Sequence, residues 1–435
     1  MSKPGESEDG RKVFIIDGAR TPFVKARGKP GPFTASDLCV AAGRPLLSRQ
    51  PFKPSDLDEV ILGCMMPLPE EANIARVASL RLACGKKVPA WTVQRNCGSG
   101  LQAIDNAVSN IRLGRSGLVL AGGAESMSHS PVLLNEKMVT WLGLWAKSRG
   151  SAKLSALFKL RPAMFAPVIG LLKGLTDHTV GLSMGQTAEI LAHRFDISRE
   201  EMDEYAMQSH QRLARAQEEG RLEEIEVIYD NKGGYYDHDD GVRKETSMEA
   251  LAKLKPVFDR PFGSVTAGNS AQVTDGAAWL IMAGENAVKK YGLKPIATIV
   301  DTQWAGVDPA QMGLGPANAM GMLFKRRGLK TEDIDLWEIN EAFAAQVLAV
   351  LRAFSDADYC SDEFGLKAPF APIPMDRLNV DGGAVSLGHP VGASGARIVL
   401  RLIHALAKNN AKRGVASLCI GGGQGGAALI ERELK

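Results

Sequence analysis

"QRNCGSGLQA", residues 94 to 103, sets a cysteine, Cys97, between a short apolar run, WTV, and glycines that open into a helical pattern. Leu101, Ile104, Ala107, Val108 and Ile111 then recur at three- and four-residue steps, one face of an amphipathic helix. Strand, glycine turn and helix in that order announce an α/β fold, with Cys97 at the helix start. Two readings follow. Gly98-Ser-Gly100-Leu-Gln-Ala103 fits the dinucleotide pattern G-x-G-x-x-A, with Glu125 lying 25 residues beyond Gly100 at the end of the next apolar run. That reading leaves the thiol unexplained, as well as a second glycine-rich stretch that also begins with a cysteine, Cys419. In the other reading Cys97 is a nucleophile, and the free N–H groups and dipole of the helix start are expected to pull its pKa below the usual ~8.5.

Outward from this stretch the chain alternates. Apolar runs at 11–17 (RKVFIID), 60–65 (VILGCM), 117–123 (GLVLAGG), 295–301 (PIATIVD), 336–340 (LWEIN) and 415–423 (VASLCIGGG) are separated by helical patterns. The order cysteine, glycine turn, helix, basic turn, strand and glycine pair around Cys97 returns faintly as His389 to Gly395, a helix over Ile398, Val399, Leu402 and Leu406, a basic turn and Gly421-Gly-Gly. This suggests two similar α/β halves.

At 435 residues the chain exceeds a single ordinary core, and 45% hydrophobic with 23% charged is a soluble composition. A net charge of +3 carries no global signal for nucleic acid. The six cysteines form no C-x-x-C and the histidines no H-E-x-x-H, so no metal is expected. Without an apolar leader or an 18-residue apolar run, the expectation is a cytoplasmic protein with reduced thiols.

Residues 131–178 differ in composition: seven Lys or Arg stand against Glu136 and Asp177, interleaved with Trp141, Leu142, Leu144, Trp145, Leu154, Leu157, Phe158 and other apolar residues. That is the composition of an interfacial or partner-docking segment. A lid packed on its own protein with solvated lysines has the same composition.

Four stretches carry a nucleophile, bases and oxyanion donors: Cys97, "INEAFAAQ" (339–346), "GHPVGASGA" (388–396) and "CIGGGQGG" (419–426). Each has an ordinary explanation alone. Cys97 and Cys419 could be small buried residues, His389 a turn residue stiffened by Pro390, and Asn340 a helix cap. Together they all fall at strand ends or strand-to-helix junctions, where open α/β sheets place ligands.

The set resembles the thiolase family along nearly the whole chain, through IIDGARTPF, QRNCGSGLQA, AGGAESMS, MGQTAE, KLKPVF, VTAGNSAQVTDGAA, NEAFAAQ, GGAVSLGHPVGASGAR and CIGGGQG. The resemblance implies a duplicated five-layered αβαβα core with an inserted loop domain. The N-terminal half would be 11–130 completed by 257–294, the insert 131–256, and the C-terminal half 295–435. It implies an acetyl-CoA C-acyltransferase, a 3-ketoacyl-CoA thiolase of fatty acid β-oxidation. Cys97 would be the acylated nucleophile, His389 its activator and Cys419 the acid/base at the acetyl-CoA α-carbon. One oxyanion site would be His389 with a water held by Asn340, the other the backbone N–H groups of Cys97 and Gly421. Met184, Leu254, Gly268 and Phe343 are the expected substrate-binding residues. CoA and acyl-CoA would be substrates, with no tightly bound cofactor, and the assembly a homodimer or homotetramer.

Within that family, biosynthetic acetoacetyl-CoA enzymes usually carry His-Met-Gly where this chain has Ser183-Met184-Gly185, which favours the degradative type; condensation of two acetyl-CoA is the alternative. The 131–178 segment is similar in placement to one in thiolase subunits of fatty-acid-oxidation complexes, which implies docking of a hydratase/dehydrogenase subunit or a membrane surface. Those subunits often have histidine in place of Asn340. Ketoacyl-synthases would replace the NEAF motif with a second histidine and need no Cys419, and a non-catalytic lipid carrier would have lost a reactive residue; neither departure occurs.

Overall fold

The computed structural model describes residues 11–432. Nine strands run in one continuous order: β1 (Val13–Arg20), β2 (Glu59–Gly63), β3 (Ala90–Val93), β4 (Leu118–Ser126), β5 (Thr274–Gly284), β6 (Ala297–Gly306), β7 (Leu336–Ile339), β8 (Arg413–Ile420) and β9 (Gln424–Glu431). Their spatial order is β7-β8-β9-β6-β1-β5-β4-β2-β3, and a two-residue strand at Val24–Lys25 pairs with β5. The join between β6 and β1 is slight, two residue pairs from Phe14 and Ile15, so two sheets meet edge to edge there.

The two sheets are topological copies. In the first, the parallel set β3-β2-β4 continues into antiparallel β5 and β1. In the second, β7-β8 is parallel and continues into antiparallel β9 and β6, while a lone parallel bridge from Trp337 to Leu378 stands where the third strand would lie. The faint repeat in the sequence is therefore an architectural duplication.

Helices α1 (Ala35–Ser48) and α2 (Ile74–Arg81) cover the outer face of the first sheet, while α3 (Ser99–Arg112) lies on its inner face. Within the long connection between β4 and β5 lie α4 (Glu136–Lys147), α5 (Ser151–Leu157), α6 (Met184–Arg194) and α7 (Arg199–Glu218). In the second half, α8 (Gly315–Arg327) and α9 (Ala344–Phe354) are outer helices and α10 (Val391–Lys408) is the inner one. Three large apolar cores follow from strand alternation, beside a small cluster of Phe23, Leu213, Leu387 and Ala393. On β2, Val60 and Leu62 face the α1/α2 core while Ile61 faces the α3/α10 core. The third core lies between the second sheet and α8 and α9, and it takes in Leu191 of α6 and Met202 of α7. The result is five layers, helix-sheet-helix-sheet-helix, with the inserted α6 and α7 closing over the second half.

The inner layer explains the glycines. A Cβ at Gly100 would stand 2.8 Å from Ala396 N and Gly392 O, and one at Gly395 only 2.4 Å from Leu101 N. The N-termini of α3 and α10 thus touch backbone to backbone, which brings the segments before them, Cys97 and His389, to one place. Gly395→Ala should lower stability by about 1–3 kcal/mol through overpacking, read as a fall in the urea midpoint at unchanged slope. An unshifted midpoint would mean that the helix crossing tolerates a methyl group.

Buried charge ties the insertion to this layer. Arg20 on β1 donates to both Asp239 oxygens at 2.7 and 2.8 Å, and Arg401 on α10 holds Glu224 at 2.8 and 3.0 Å. Residues 131–178 behave otherwise: they fold largely on themselves. Val132–Leu134 pairs with Pro167–Ile169, Asn135 Nδ2 donates to the carbonyls of Ala163, Met164 and Ala166, and Trp141 stacks on Trp145 at 5.4 Å. Many of its apolar side chains stay outside, Val132 68% exposed and Phe158 82%, while Met138 and Ala156 are buried. Only its end, 174–178, packs onto the body of the protein, beside Met65 and Met184. No helix among the described residues is long and apolar enough to cross a membrane.

Candidate active site

Cys97 sits in the turn between β3 and α3. Asn96 before it takes a left-handed φ of 45°, and its Nδ2 donates to Gly421 O at 2.7 Å, tying this turn to the one after β8. Ser99 Oγ pins the turn by donating to Asn96 O at 2.6 Å and accepting from Arg95 N at 2.8 Å. Across from it, Gly422 and Gly423 have φ of 92° and 80°, the left-handed pair that reverses the chain from β8 into β9. The Gly421 N–H favours the Cys97 thiolate, though less than burial disfavours it. A pocket of about 200 Å³ opens here, lined by Met65, Asn96, Cys97, Met184, Val391 and Gly421 and walled on one side by 174–179.

Cys419, next to last on β8, is 1% exposed. Burial pushes its thiol far above the ordinary range, and the neighbouring Cys97 adds to the rise. His389 lies two residues before Val391 of the pocket wall. Its Nδ1 is 2.6 Å from Ser394 Oγ, which donates to Pro390 O at 3.1 Å. The hydroxyl proton being committed to Pro390, Ser394 Oγ accepts from Nδ1–H, and Nε2 keeps its lone pair, buried and without a partner. Burial, helped by the Arg397 guanidinium, lowers the His389 pKa to about 4. Asn340, fully buried after β7, accepts at Oδ1 from Arg397 Nη2 at 3.0 Å and leaves Nδ2 unpartnered.

Several expectations change. The Cys97 thiol is not depressed: burial raises it, outweighing the Gly421 N–H and its own N–H. Burial thus disfavours the charged form of both the Cys97 thiol and the His389 imidazole. Glu125 is no ribose ligand, because it is fully buried and accepts from the N–H groups of Met65, Met66 and Gly392 at 2.9, 3.0 and 3.0 Å. With the glycines occupied by helix contact, the dinucleotide reading falls. Asn340 caps no helix; the N-cap of α9 is Phe343.

Of the four expected substrate-binding residues, the structure places Met184 in the Cys97 pocket. Leu254 instead lines a separate cleft of about 440 Å³ with Arg243, Lys244, Thr246 and Leu251, and a Cβ at Gly268 would come within 2.5 Å of it. Phe343 is 9% exposed and packs its ring edge-on against Phe258 at 5.8 Å. Arg243, Ser394, Arg397 and the 174–179 wall were not singled out from sequence. Ser394 and Arg397 lie inside a recognised motif, but their helical spacing from His389 shows no partner until the fold is known.

Comparison with known proteins gives one answer. Residues 13–286 match the thiolase N-terminal domain family and 293–432 the thiolase C-terminal domain family. The mitochondrial 3-ketoacyl-CoA thiolase of Homo sapiens is 39% identical over 97% of this chain and 98% of its own. The 3-oxoadipyl-CoA/3-oxo-5,6-dehydrosuberyl-CoA thiolase of Escherichia coli (strain K12) is 40% identical over 97% and 100%. Among solved structures, human mitochondrial 3-ketoacyl-CoA thiolase in complex with CoA superposes with a TM-score of 0.83 at 38% identity, covering 97% of this chain and 98% of that one. The Bacillus anthracis acetyl-CoA acetyltransferase does so at 0.84 and 37%, covering 98% and 100%.

Proposed function

The chain belongs to the thiolase family of acyltransferases, and on that premise we propose that it cleaves 3-ketoacyl-CoA with CoA, giving acetyl-CoA and a shortened acyl-CoA. The observation that carries this reading is the meeting of Cys97, the turn after Cys419 and the wall next to His389 at a single pocket. Cys97 sulfur attacks the keto carbon as His389 Nε2 takes the thiol proton, and the Cys97 and Gly421 N–H groups receive the oxyanion. The C–C bond then breaks, its electron pair leaving on the acetyl-CoA α-carbon as an enolate. That enolate is held by His389 and the water of Asn340, and Cys419 supplies the proton. CoA then gives its thiol proton to the Cys419 thiolate and its sulfur attacks the acyl carbon, while Cys97 sulfur leaves and takes back the proton held by His389. A thiol as strongly raised as Cys419 stays protonated until needed, which suits a proton donor.

CoA enters as a substrate. The Leu254 cleft suits its tail, with the exposed Arg243 and Lys244 on the rim for phosphate. Arg243→Ala should raise KM for CoA about tenfold with kcat little changed, and a fall in kcat alone would assign Arg243 elsewhere. The degradative direction is favoured by Ser183, which caps α6 in a box with Gln186 where a short-chain enzyme would place histidine. Cleavage assays with substrates from four to sixteen carbons test it: activity rising with length supports the reading, and activity confined to acetoacetyl-CoA would move the chain to the biosynthetic class.

Because a neutral His389 is the base, acylation should persist as pH falls well below 6.5 and be lost only as it passes through about 4, where the imidazole protonates. A kcat/KM profile whose acid limb lies near the ordinary imidazole value of about 6.5 would contradict the buried neutral base.

The outward face of 131–178 is assigned to a membrane surface of anionic lipid. All seven of its Lys and Arg side chains are exposed beside the exposed apolar ones. Cosedimentation with anionic but not neutral vesicles would support this, whereas capture of a purified hydratase/dehydrogenase subunit without vesicle binding would assign the face to that partner. A homodimer is expected to form at the free edge of β3.

A further inference from the structure

Arg397 lies on the second turn of α10, eight residues beyond His389, and is 1% exposed. Its terminal nitrogens divide their work: Nη1 donates to Glu338 and Nη2 to Asn340 Oδ1 at 3.0 Å. Glu338 lies on β7 two residues before Asn340, so both side chains leave the strand end on the same side, toward α10. A guanidinium has donors and no acceptor. Whichever end of the Asn340 amide meets it must be the oxygen, and the N–H end is thereby turned the other way. That Nδ2 is buried and unpartnered, and so is His389 Nε2.

We propose that Arg397, itself held by Glu338, is a positioning residue that fixes the direction of the Asn340 amide, so that its N–H and not its C=O serves the enolate site. The inference rests on the assignment of Asn340 to that site. An amide turned the other way would present a carbonyl oxygen to the water, which could then no longer accept from Asn340 while donating to the enolate oxygen. The helix that begins just after His389 thus also aims the second half of the same oxyanion site. A plain buried ion pair between Arg397 and Glu338 would account for the charges but not for the guanidinium's second bond, to the one amide oxygen next to the reaction.

Step-resolved kinetics separate the two. Arg397→Met alone leaves Glu338 buried without its cation, so the fold-preserving variant is Glu338→Leu/Arg397→Met, in which both charges go together. It should slow deuterium exchange at the α-carbon of acetyl-CoA by about 10- to 100-fold, less than the ~10²–10³ for loss of a whole oxyanion donor. Burst acylation of Cys97 by an activated acyl thioester, which uses the other oxyanion site, should stay within about threefold. Placed on Asn340→Ala, the pair should add almost nothing, because its effect passes through that amide. Equal loss in both steps, no loss in exchange, or a full further loss on Asn340→Ala would each overturn the proposal. If Asn340→Ala itself leaves exchange unchanged, the enolate-site assignment fails and the proposal falls with it, whereas loss in Asn340→Ala alone overturns only the role of Arg397.

Discussion

Cys97→Ala should abolish thiolysis, lowering kcat by about 10⁴- to 10⁶-fold, while leaving the fold and CoA binding in place. Cys97 is held by a turn pinned at Asn96 and Ser99, with the Gly421 N–H beside its sulfur, so the nucleophile and an oxyanion donor are preset to each other. In the proposed mechanism, removing the sulfur deletes the atom that bonds the keto carbon, and water in its place would lack its nucleophilicity. Cys97→Ser should recover little, because a hydroxyl is far harder to ionise beside a His389 whose own affinity for protons is lowered to a pKa of about 4. Substantial residual turnover in Cys97→Ala would show that the acyl group never rests there.

Cys419→Ala should fail differently. Loss of a general acid or base costs about 10²–10⁴, and the loss should fall on the α-carbon step. The variant should still release CoA in one burst from an activated acyl thioester, since acylation uses Cys97 and His389. Exchange of acetyl-CoA α-protons with solvent should stop. If instead Cys419→Ala loses the burst while Cys97→Ala keeps it and loses exchange, the two thiols have been assigned in reverse. The side-chain loss itself is small: the site already borders small residues, and a methyl group fills most of the space, so stability should change by about 1 kcal/mol or less.

Much of this was legible in the residues themselves. The six apolar runs predict six of the nine main strands of the large sheet, missing β3, β5 and β9, and the Cys97, Asn340 and Cys419 motifs fall at strand ends as expected, whereas His389 lies between two helices, Ala384–Leu387 and α10. What was not legible follows from what a linear reading lacks. Glycine spacing in CGSGLQA matches a nucleotide turn, yet the reason for Gly100 is a backbone 300 residues away in α10. The thiol of Cys97 was expected to be acidic from its helix start, but the helix effect is local and the burial that overrides it is tertiary. Leu254 and Gly268 carry apolar or small character that suits any pocket, and only the packing shows that Leu254 lines the cleft rimmed by Arg243 with Gly268 packed behind it. The basic and apolar character of 131–178 is plain in its residues, whereas its self-pairing at 132–134 and 167–169 and the packing of 174–178 against the Cys97 pocket are tertiary.

The most direct measurement is the intact mass of the protein after brief incubation with a 3-ketoacyl-CoA in the absence of free CoA, followed by peptide mapping of the adduct. The account predicts one acyl group per chain, of the shortened length, on Cys97 alone, discharged when CoA is added. An acyl group on Cys419, or full turnover with no acylated cysteine at any time, would contradict it.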